Sequence, residues 1–512
     1  MVSDFYGLRL QRARFTEQIK GHKRKTVMID KISKTRALFT SGITPGRWLV
    51  AACFAVLLAR GAAFAEDWAT YMHDNRRSAV TSESLVLGDL EQGWVYASPA
   101  PPQIAWDGGH PWDSWAQNLQ VPMRDFDTAF FVSVVGDSVY FGSSVSDSVH
   151  CLDARTGQQE WFFTTNGPVR YPPSYYEGNL YFGSDDGYVY CIDAQNGYLI
   201  WKYTPIEDIR LIGNNGSLIP MWPIRTGTAV MEGKVYFAAS LVPWRRSYLC
   251  SVDAVTGSDS GPGLYVTSGG STPMSAILAS SARIYLAQGR RYPDVYRRDS
   301  GTQSGHIGGE SGNGGCYVLL TSDTGYAYAH GQDHGTGYQA NEYVDRIATY
   351  PNSKCMIVSG ENAYVVSEQF SVDQSRNDKR VVNPQLKAIN RKSGGTMWSI
   401  SCESPYYCMI VAGDVLFAGG TNKVTAHDVS YGSELWSRPV HGRARGLAAA
   451  NGRLFVSTDT GRIHMFGPTH LPGDFNEDGA VNMLDLAIFA DDYLKCTDPM
   501  NTRWPCENIS AP

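Results

Sequence analysis

The sequence predicts an all-β fold assembled from repeated small sheets, with a short helical segment at the C-terminus. Three observations predict it. The 512 residues include 52 Gly, 29 Tyr and 13 Trp but only 18% charged residues. That balance suits many tight turns and does not suit a disordered chain. Stretches of alternating apolar residues recur along the middle of the chain. Each runs into a turn signal of fixed spacing: Asp153, Gly157 and Trp161 stand at +4 and +8, and Asp193, Gly197 and Trp201 repeat this 40 residues later.

The spacing returns at Asn390, Gly394 and Trp398 and at Asp428, Gly432 and Trp436, while Asp253 and Gly257 keep its first half. The physics is that of a hairpin. A strand such as "YVYCID" runs to the Asp, whose side chain can accept backbone N–H groups in the turn, and Gly supplies the positive φ. Trp then opens the returning strand with its ring free to bury between neighbouring sheets. The strands before these hairpins give eight units: "VYFGS" at 139, "LYFGS" at 180, "VYFAA" at 235, "IYLAQ" at 284, "AYAHG" at 327, "AYVVS" at 363, "LFAGG" at 416 and "LFVST" at 454. Units of roughly 40 to 50 residues, each a four-stranded antiparallel sheet, indicate a β-propeller, here with eight blades. A single sheet cannot bury both faces, so stacking against its neighbours supplies the core. The last unit has only two strands, "GRLFVSTD" and "GRIHMFG". The N-terminal "LEQGWVYASP" at 90–99 reads as its missing Trp strand, and would close the ring without an open edge.

The N-terminus reads as a targeting segment. A basic stretch (Lys23, Arg24, Lys25, Lys31, Lys34, Arg36) precedes the apolar run "WLVAACFAVLLA" at 48–59 and then Ala63-Phe64-Ala65, the A-x-A pattern of a signal-peptidase site. The run is short for a bilayer span. Residues 1–65 are therefore expected to be a signal peptide with an N-terminal extension, cleaved after Ala65; translation from Met28 would keep every feature a leader needs. Residues 66–467 form the propeller and 468–512 a separate module. Without the leader, 32 basic and 47 acidic residues remain, a net charge of −15. Such an acidic exported chain (periplasmic, cell-surface or extracellular) is a poor partner for nucleic acid.

Export permits disulfides. Nine cysteines follow the leader, with no C-x-x-C among them, which excludes the usual zinc and redox motifs. Cys151 and Cys191 occupy one slot of consecutive repeats and read as buried thiols. Cys402 and Cys408 flank a short turn and could bond. Cys496 and Cys506 are the preferred disulfide.

The stretch "GDFNEDGAVNMLDLAIFADDYL" at 473–494 carries the clearest ligand pattern. Asp474, Asn476, Asp478, Ala480 (through its carbonyl), Asn482 and Asp485 stand at positions 1, 3, 5, 7, 9 and 12 of a calcium loop, with Gly479 at the sharp turn. Calcium wants six to eight hard oxygens, and this spacing wraps them around one ion. Leu486, Phe489, Ala490, Tyr493 and Leu494 then give one apolar helix face. Asp at position 12 and the absence of an incoming helix resemble the dockerin type, which implies a cohesin-like partner. Dockerins carry two such loop–helix repeats, and this chain has one.

The propeller repeats resemble the pyrroloquinoline-quinone-type repeat family, whose core "G-x-V-Y-x-G-S-x-D-G-x-x-Y-A-L-D-A-x-T-G-x-x-x-W" is nearly reproduced at 178–201. "DWATYMHDNRRSAV" at 67–80 resembles the opening of exported members. The likeness covers roughly 67–467 and speaks for fold more than for function. The family holds quinone-dependent dehydrogenases and non-catalytic propellers such as the assembly factor BamB. Dehydrogenases of the group carry a vicinal Cys-Cys pair, a calcium beside the quinone and an Asp base. This sequence has no Cys-Cys and no matching catalytic segment, so no catalytic or quinone-binding residue is assigned. The expectation is an exported, non-catalytic propeller binding a protein or polysaccharide partner, attached through its calcium module. The alternative is a pyrroloquinoline-quinone-dependent oxidoreductase acting on alcohols or sugars.

Two irregular stretches are where a site would be sought. "NNGSLIPMWPIRTG" at 214–227 brings Trp222 near Arg225, and "YAHGQDHGTGY" at 328–338 carries His330, Asp333 and His334. Their functional reading is a ligand or metal site. Their bland reading is interblade packing with an ion pair for the first and a solvated turn for the second. "RRYPDVYRRDSG" at 290–301 reads as exposed loop charge.

Overall fold

The computed structural model describes residues 66–105 and 127–468, apart from 208–209, 242–244, 260–264, 270–271, 289–292, 307–316, 322–325, 331–336, 342–345 and 374–377, together with 483–484, 486–488 and 490. Residues 1–63 and 64–512 separate into two units, and only the second holds described residues.

The second unit is built of β-sheets that follow one another along the chain. Six are four-stranded and antiparallel among the described residues. The first comprises Val132–Val135, Ser138–Ser143, Ser148–Asp153 and Gln159–Thr164, and the second Ser174–Tyr176, Asn179–Gly183, Val189–Asp193 and Leu199–Tyr203. The third runs from Ala229–Met231 to Tyr265–Gly269, the fourth from Leu278–Ala279 to Gln303–His306, the fifth from Tyr317–Leu320 to Arg346–Tyr350 and the sixth from Ser353–Ser359 to Thr396–Ser401. An eight-stranded sheet follows, in which the 17-residue strand Glu434–Ala450 pairs with Thr421–Asp428 through its first half and with Arg453–Thr458 through its second. Its far edge is the N-terminal strand Glu91–Ala97, antiparallel to Arg462–Gly467. The Trp strand expected to close the last unit does so.

The hairpin chemistry read from the repeats is realised atom by atom. Asp153 Oδ1 accepts the N–H of Arg155 at 3.0 Å and of Thr156 at 2.7 Å, while Gly157 at φ 70° donates back to the Asp153 carbonyl. Asp193, Asp253, Asn390 and Asp428 repeat the arrangement. Trp94, Trp161, Trp201 and Trp398 then lie on the glycine turn of the next sheet. A Cβ placed on Gly197 would stand 2.6 Å from the Trp161 ring, and the same holds for Gly157 under Trp94, Gly257 under Trp201 and Gly432 under Trp398. Trp94, Trp201 and Trp398 also donate Nε1–H to a carbonyl of that turn, at 2.9, 3.0 and 3.0 Å.

A second device ties the inner strands together. Residues 66–83 run past the first strand of successive sheets. Trp68 exchanges backbone hydrogen bonds with Val134, Ala69 accepts from Tyr175, Asn75 bonds Val230 and Ala279, Arg76 accepts from Leu320 and Ala79 from Val411. Arg77 lies at the centre with 1% of its surface exposed. Its guanidinium donates to the carbonyls of Thr228 (2.8 Å), Ile277 (2.9 Å), Tyr71 (3.0 Å) and Asp74 (3.2 Å) and to the Thr70 hydroxyl (2.8 Å).

Two expectations are corrected. The stretch 290–301 is not merely exposed loop charge, because Asp294–Arg297 is a strand of the fourth sheet with Asp294, Val295 and Tyr296 buried. It ends in the same hairpin as the other units, with Gly301 at φ 67° donating to the Arg297 carbonyl. Arg297 stands where the repeat has Asp, and this hid the turn. Cys402 and Cys408 do not bond: both are free, the Cys408 thiol facing the Ala444 carbonyl at 3.3 Å and the Cys402 thiol the Ile400 carbonyl at 3.8 Å. Cys151 and Cys191 are buried free thiols, as read, and burial pushes both up, Cys191 to about 12. Cys496 and Cys506 lie outside the described residues.

The packing of Trp on glycine is directly testable. Gly197→Ala forces a side chain at φ 73° and into the Trp161 ring, and should cost about 2–4 kcal/mol. Gly178→Ala shares a positive φ, 85°, but meets nothing within 4 Å, and should cost only about 1 kcal/mol. Guanidinium denaturation of the two variants separates backbone cost from ring contact; equal losses would refute the contact.

Candidate functional site

Antiparallel connectivity divides the ring into two ends. The Asp-x-x-x-Gly turns, which join third strands to fourth, all lie at one end. Connections from second to third strands, and from each sheet to the next, lie at the other. The irregular connections are on this second end, which carries two clusters of charged side chains.

The first is a buried quartet. Arg170, between the first and second sheets, donates Nε and Nη2 to Asp185 Oδ2 at 3.0 and 2.7 Å and pairs through Nη1 with Asp127. Arg225 donates Nε to Asp185 Oδ1 at 2.8 Å and Nη2 to Oδ2 at 2.7 Å, and also reaches Asn214 Oδ1 at 2.9 Å. All four side chains are at most 3% exposed. Burial works to raise the Asp185 carboxyl, but the two guanidiniums outweigh it and hold it at about 2. For Asp127 burial prevails over Arg170, and its carboxyl rises above the ordinary range. The Arg225 of the irregular stretch is thus half of an ion pair. Trp222 packs edge-on against Tyr248 at 5.9 Å and donates to the Arg246 carbonyl at 2.7 Å. The bland reading of 214–227 holds for both residues.

The second cluster is cationic and aromatic. The Tyr407 ring, in the connection after the sixth sheet, is approached by Arg445 at 4.5 Å, Lys354 at 5.0 Å and Arg443 at 5.9 Å from its centroid. Cation–π attraction of this kind is worth about 0.5–2 kcal/mol each. Lys354 Nζ pairs with Glu368 Oε1 at 2.9 Å, and Arg443 lies 3.8 Å from Asp459. Arg445 Nε and Glu368 Oε2 are both buried without a hydrogen-bond partner among the described residues. Beside the cluster runs a groove of about 550 Å³ whose walls include Ser367, Gln369, Asn383, Lys387, Ser401 and Glu403. Its Asn352 and Ser367 adjoin the Lys354–Glu368 pair, with the Glu368 N–H donating to the Asn352 carbonyl at 2.9 Å.

Sequence reasoning missed this cluster and every member of the quartet except Arg225. The available signals were weak: "HGRARG" at 441–446 concentrates cations in one short stretch, and "GSDDG" at 183–187 carries two acids where the repeat needs one. Of the second irregular stretch, His330 ends the strand Tyr326–His330, and Asp333 and His334 lie outside the described residues. So do Asp474, Asn476, Asp478, Ala480, Asn482 and Asp485; of the following residues, Met483, Leu484, Leu486–Ile488 and Ala490 are helical and exposed. Among the described residues no three His, Cys, Asp or Glu side chains converge to hold a metal ion.

The quartet makes a pH-resolved prediction. Asp185→Asn leaves two buried guanidiniums undercompensated and should cost about 3–5 kcal/mol at pH 7. The folded-state pKa of Asp185 is depressed, so its contribution is present above the unfolded value of about 3.9 and fades as pH falls toward 2. Denaturation curves of wild type and variant should therefore converge as pH drops below about 4; a constant gap would show that charge is not the cause.

Comparison with known proteins places this architecture. The PQQ_2 profile, described as outer membrane protein assembly factor BamB, matches residues 104–259 and 349–469. The quinohemoprotein alcohol dehydrogenase of Comamonas testosteroni is 26% identical over 239 residues, 42% of this chain and 31% of that protein. The chain thus spans about a third of the curated relative it matches. The crystal structure of that dehydrogenase superposes with a TM-score of 0.59 at 14% identity, covering 81% of this chain and 82% of the other. A europium-containing methanol dehydrogenase gives 0.57 at 12% identity, over 78% and 98%. The expectation of a non-catalytic scaffold propeller is corrected by the sequence likeness, since the curated relative is a quinohemoprotein alcohol dehydrogenase. With more than half of its length matched, the chain belongs to the PQQ_2 repeat family, described as outer membrane protein assembly factor BamB.

Proposed function

We propose that this protein is an exported oxidoreductase that uses pyrroloquinoline quinone to oxidise an alcohol or a sugar. The observation that carries the reading is the cationic cluster on Tyr407 beside an open groove, in a chain with sequence similarity to a quinohemoprotein alcohol dehydrogenase. The cofactor is a planar quinone bearing carboxylates. Three cations converging on an aromatic face suit both properties, and the groove volume lies within the ~300–1,000 Å³ of ordinary ligand pockets. A metal beside the quinone has less support, because Asp127 and Asp185 are already taken by guanidiniums.

Pyrroloquinoline quinone, when bound, would supply a two-electron acceptor for the hydrogen of the substrate C–H bond. The chain's residues do the rest. Arg445 and Lys354 would hold the quinone's carboxylates, and Tyr407 would offer its face to the ring system. Glu368, held by Lys354 through Oε1, keeps Oε2 buried and without a hydrogen-bond partner among the described residues, beside the groove residues Ser367 and Gln369, and would take the hydroxyl proton of a substrate that reaches it. Wild-type protein supplied with the quinone, with and without calcium, should reduce an electron-accepting dye when alcohols or sugars are added. Arg445→Gln should weaken quinone binding about 10- to 100-fold, and Glu368→Gln should lower turnover by about 10² or more while binding persists. No substrate-dependent reduction across the panel would sink the reading.

Two finer features complete it. The eight-stranded sheet is read as two blades joined through Glu434–Ala450, a reading that makes eight blades among the described residues with Glu91–Ala97 in the last. Residues 474–485 bind one calcium ion outside the cell through the six ligands read from the loop. Calorimetric titration of calcium should show one site of moderate affinity in wild type and none in Asp474→Ala; equal binding would refute the ligand set.

A further inference from the structure

The quinone reading leaves unused a buried carboxylate at the opposite end of the ring. Glu83 is 1% exposed. Its Oε2 accepts the N–H of Asn451 at 2.9 Å and its Oε1 that of Gly452, so it caps the turn between the strands Glu434–Ala450 and Arg453–Thr458. Among the described residues no Lys, Arg or His nitrogen lies within 4 Å of it. A buried carboxylate without a cation is unfavourable. One more donor reaches it: the main-chain nitrogen of Glu66, 3.3 Å from Oε2. Glu66 is the residue that follows the Ala63-Phe64-Ala65 pattern.

We infer that hydrolysis of the Ala65–Glu66 peptide bond converts this nitrogen into an α-ammonium that ion-pairs with Glu83 and locks the ring. In that step a leader peptidase adds water across the amide: the C–N bond breaks, the hydroxyl goes to the Ala65 carbonyl carbon, and the released amine takes up a proton. One neutral donor becomes three charge-assisted ones. The surroundings are short of positive charge. The Glu66 carboxylate is held by Thr81 and Ser82 with His73 at 3.3 Å, and Asp67 caps the Gly136 N–H. The cation facing Glu83 from the last sheet, Arg453, lies beyond ion-pair distance and points to Asp137. The turn at Gly136 belongs to the first sheet and the turn at Gly452 to the last, and Asn451 Nδ2 donates to the Gly136 carbonyl at 2.8 Å. The new N-terminus therefore sits on the junction where the ring closes, and export and completion of the fold become one event.

The test begins with the exported full-length product. N-terminal sequencing should read Glu66-Asp67-Trp68; any other start overturns the inference. Two chains, one starting at Glu66 and one retaining Ala65, are then compared by thermal melting. The extra alanine should lower Tm by at least ~2 °C, and Nα-acetylation of the Glu66 form, which removes the charge but keeps an N–H, should give the same loss. In Glu83→Gln the two chains should melt together. Equal Tm values for the free, acetylated and extended wild-type chains would overturn the ion pair whether or not Glu83→Gln folds.

Discussion

The contact on which the ring depends is an indole lying on the glycine turn of the next sheet. Sheets that radiate from a common axis diverge toward their outer edges, so the gap to be filled is largest there. A Trp on the outermost strand fills it, and only a residue without a Cβ leaves room, as the 2.5–2.6 Å approach of a hypothetical Cβ to Trp94, Trp161, Trp201 and Trp398 demonstrates. The positive φ of the turn and the space for the ring thus select glycine twice. Where the ring also donates Nε1–H to a turn carbonyl, its one polar atom is satisfied at no loss of packing. Trp94 does this for the closing pair, so a strand from the far end of the chain joins through the same contact as the internal repeats. Trp436 is the exception that explains itself: no Asp–Gly turn follows it, and its ring packs edge-on against Phe466 at 5.6 Å instead.

The inner side has the opposite problem. There the strands converge, and their ends present carbonyls to a space too narrow for packed sheets. Arg77 answers with five donors in a planar fork, reaching carbonyls beside the third and fourth sheets at once. Burial lowers its pKa to about 10, which still leaves it charged at neutral pH. Met72, His73, Arg77 and Ala79 all adopt positive φ in this short segment. Such conformations cost about 1–3 kcal/mol each and persist only where surrounding bonds over-determine them. Those bonds, to the first strands of successive sheets, are what residues 66–83 supply.

Most of the ring was legible because its determinants are local and repeated. Asp153, Gly157 and Trp161 act within one hairpin and its neighbour, so a fixed spacing reveals them. The closing strand was legible for the same reason, as an orphan Trp strand matching an incomplete unit. The fourth unit was misread because Arg297 replaces the Asp that signals the turn, while glycine at φ 67° still makes it. The charged clusters were illegible for a different reason. Lys354, Tyr407 and Arg445 come from two strands and one connection, each more than 35 residues from the next, and meet only because the ring brings those segments together. Asp185 was hidden in a repeat position, and the pairing proposed for Cys402 and Cys408 failed because Cys408 faces Ala444 of the strand Glu434–Ala450.

The two clusters at the long-connection end differ in what they leave over, and that difference assigns their roles. Asp127, Arg170, Asp185 and Arg225 balance two charges against two, and all are buried. Such a network holds connections in place, and removing one member strands the others. Around Tyr407 three cations face two carboxylates, Glu368 and Asp459, and the side chains of Lys354 and Arg443 are 34% and 54% exposed. Positive charge in excess, partly open to solvent and lying on an aromatic face, is electrostatic capacity that the protein itself does not use. The irregular loop at 214–227 therefore drew attention to the rigid half of this end, and the capacity for a charged ligand lies across the ring, where the sixth sheet meets the eight-stranded one.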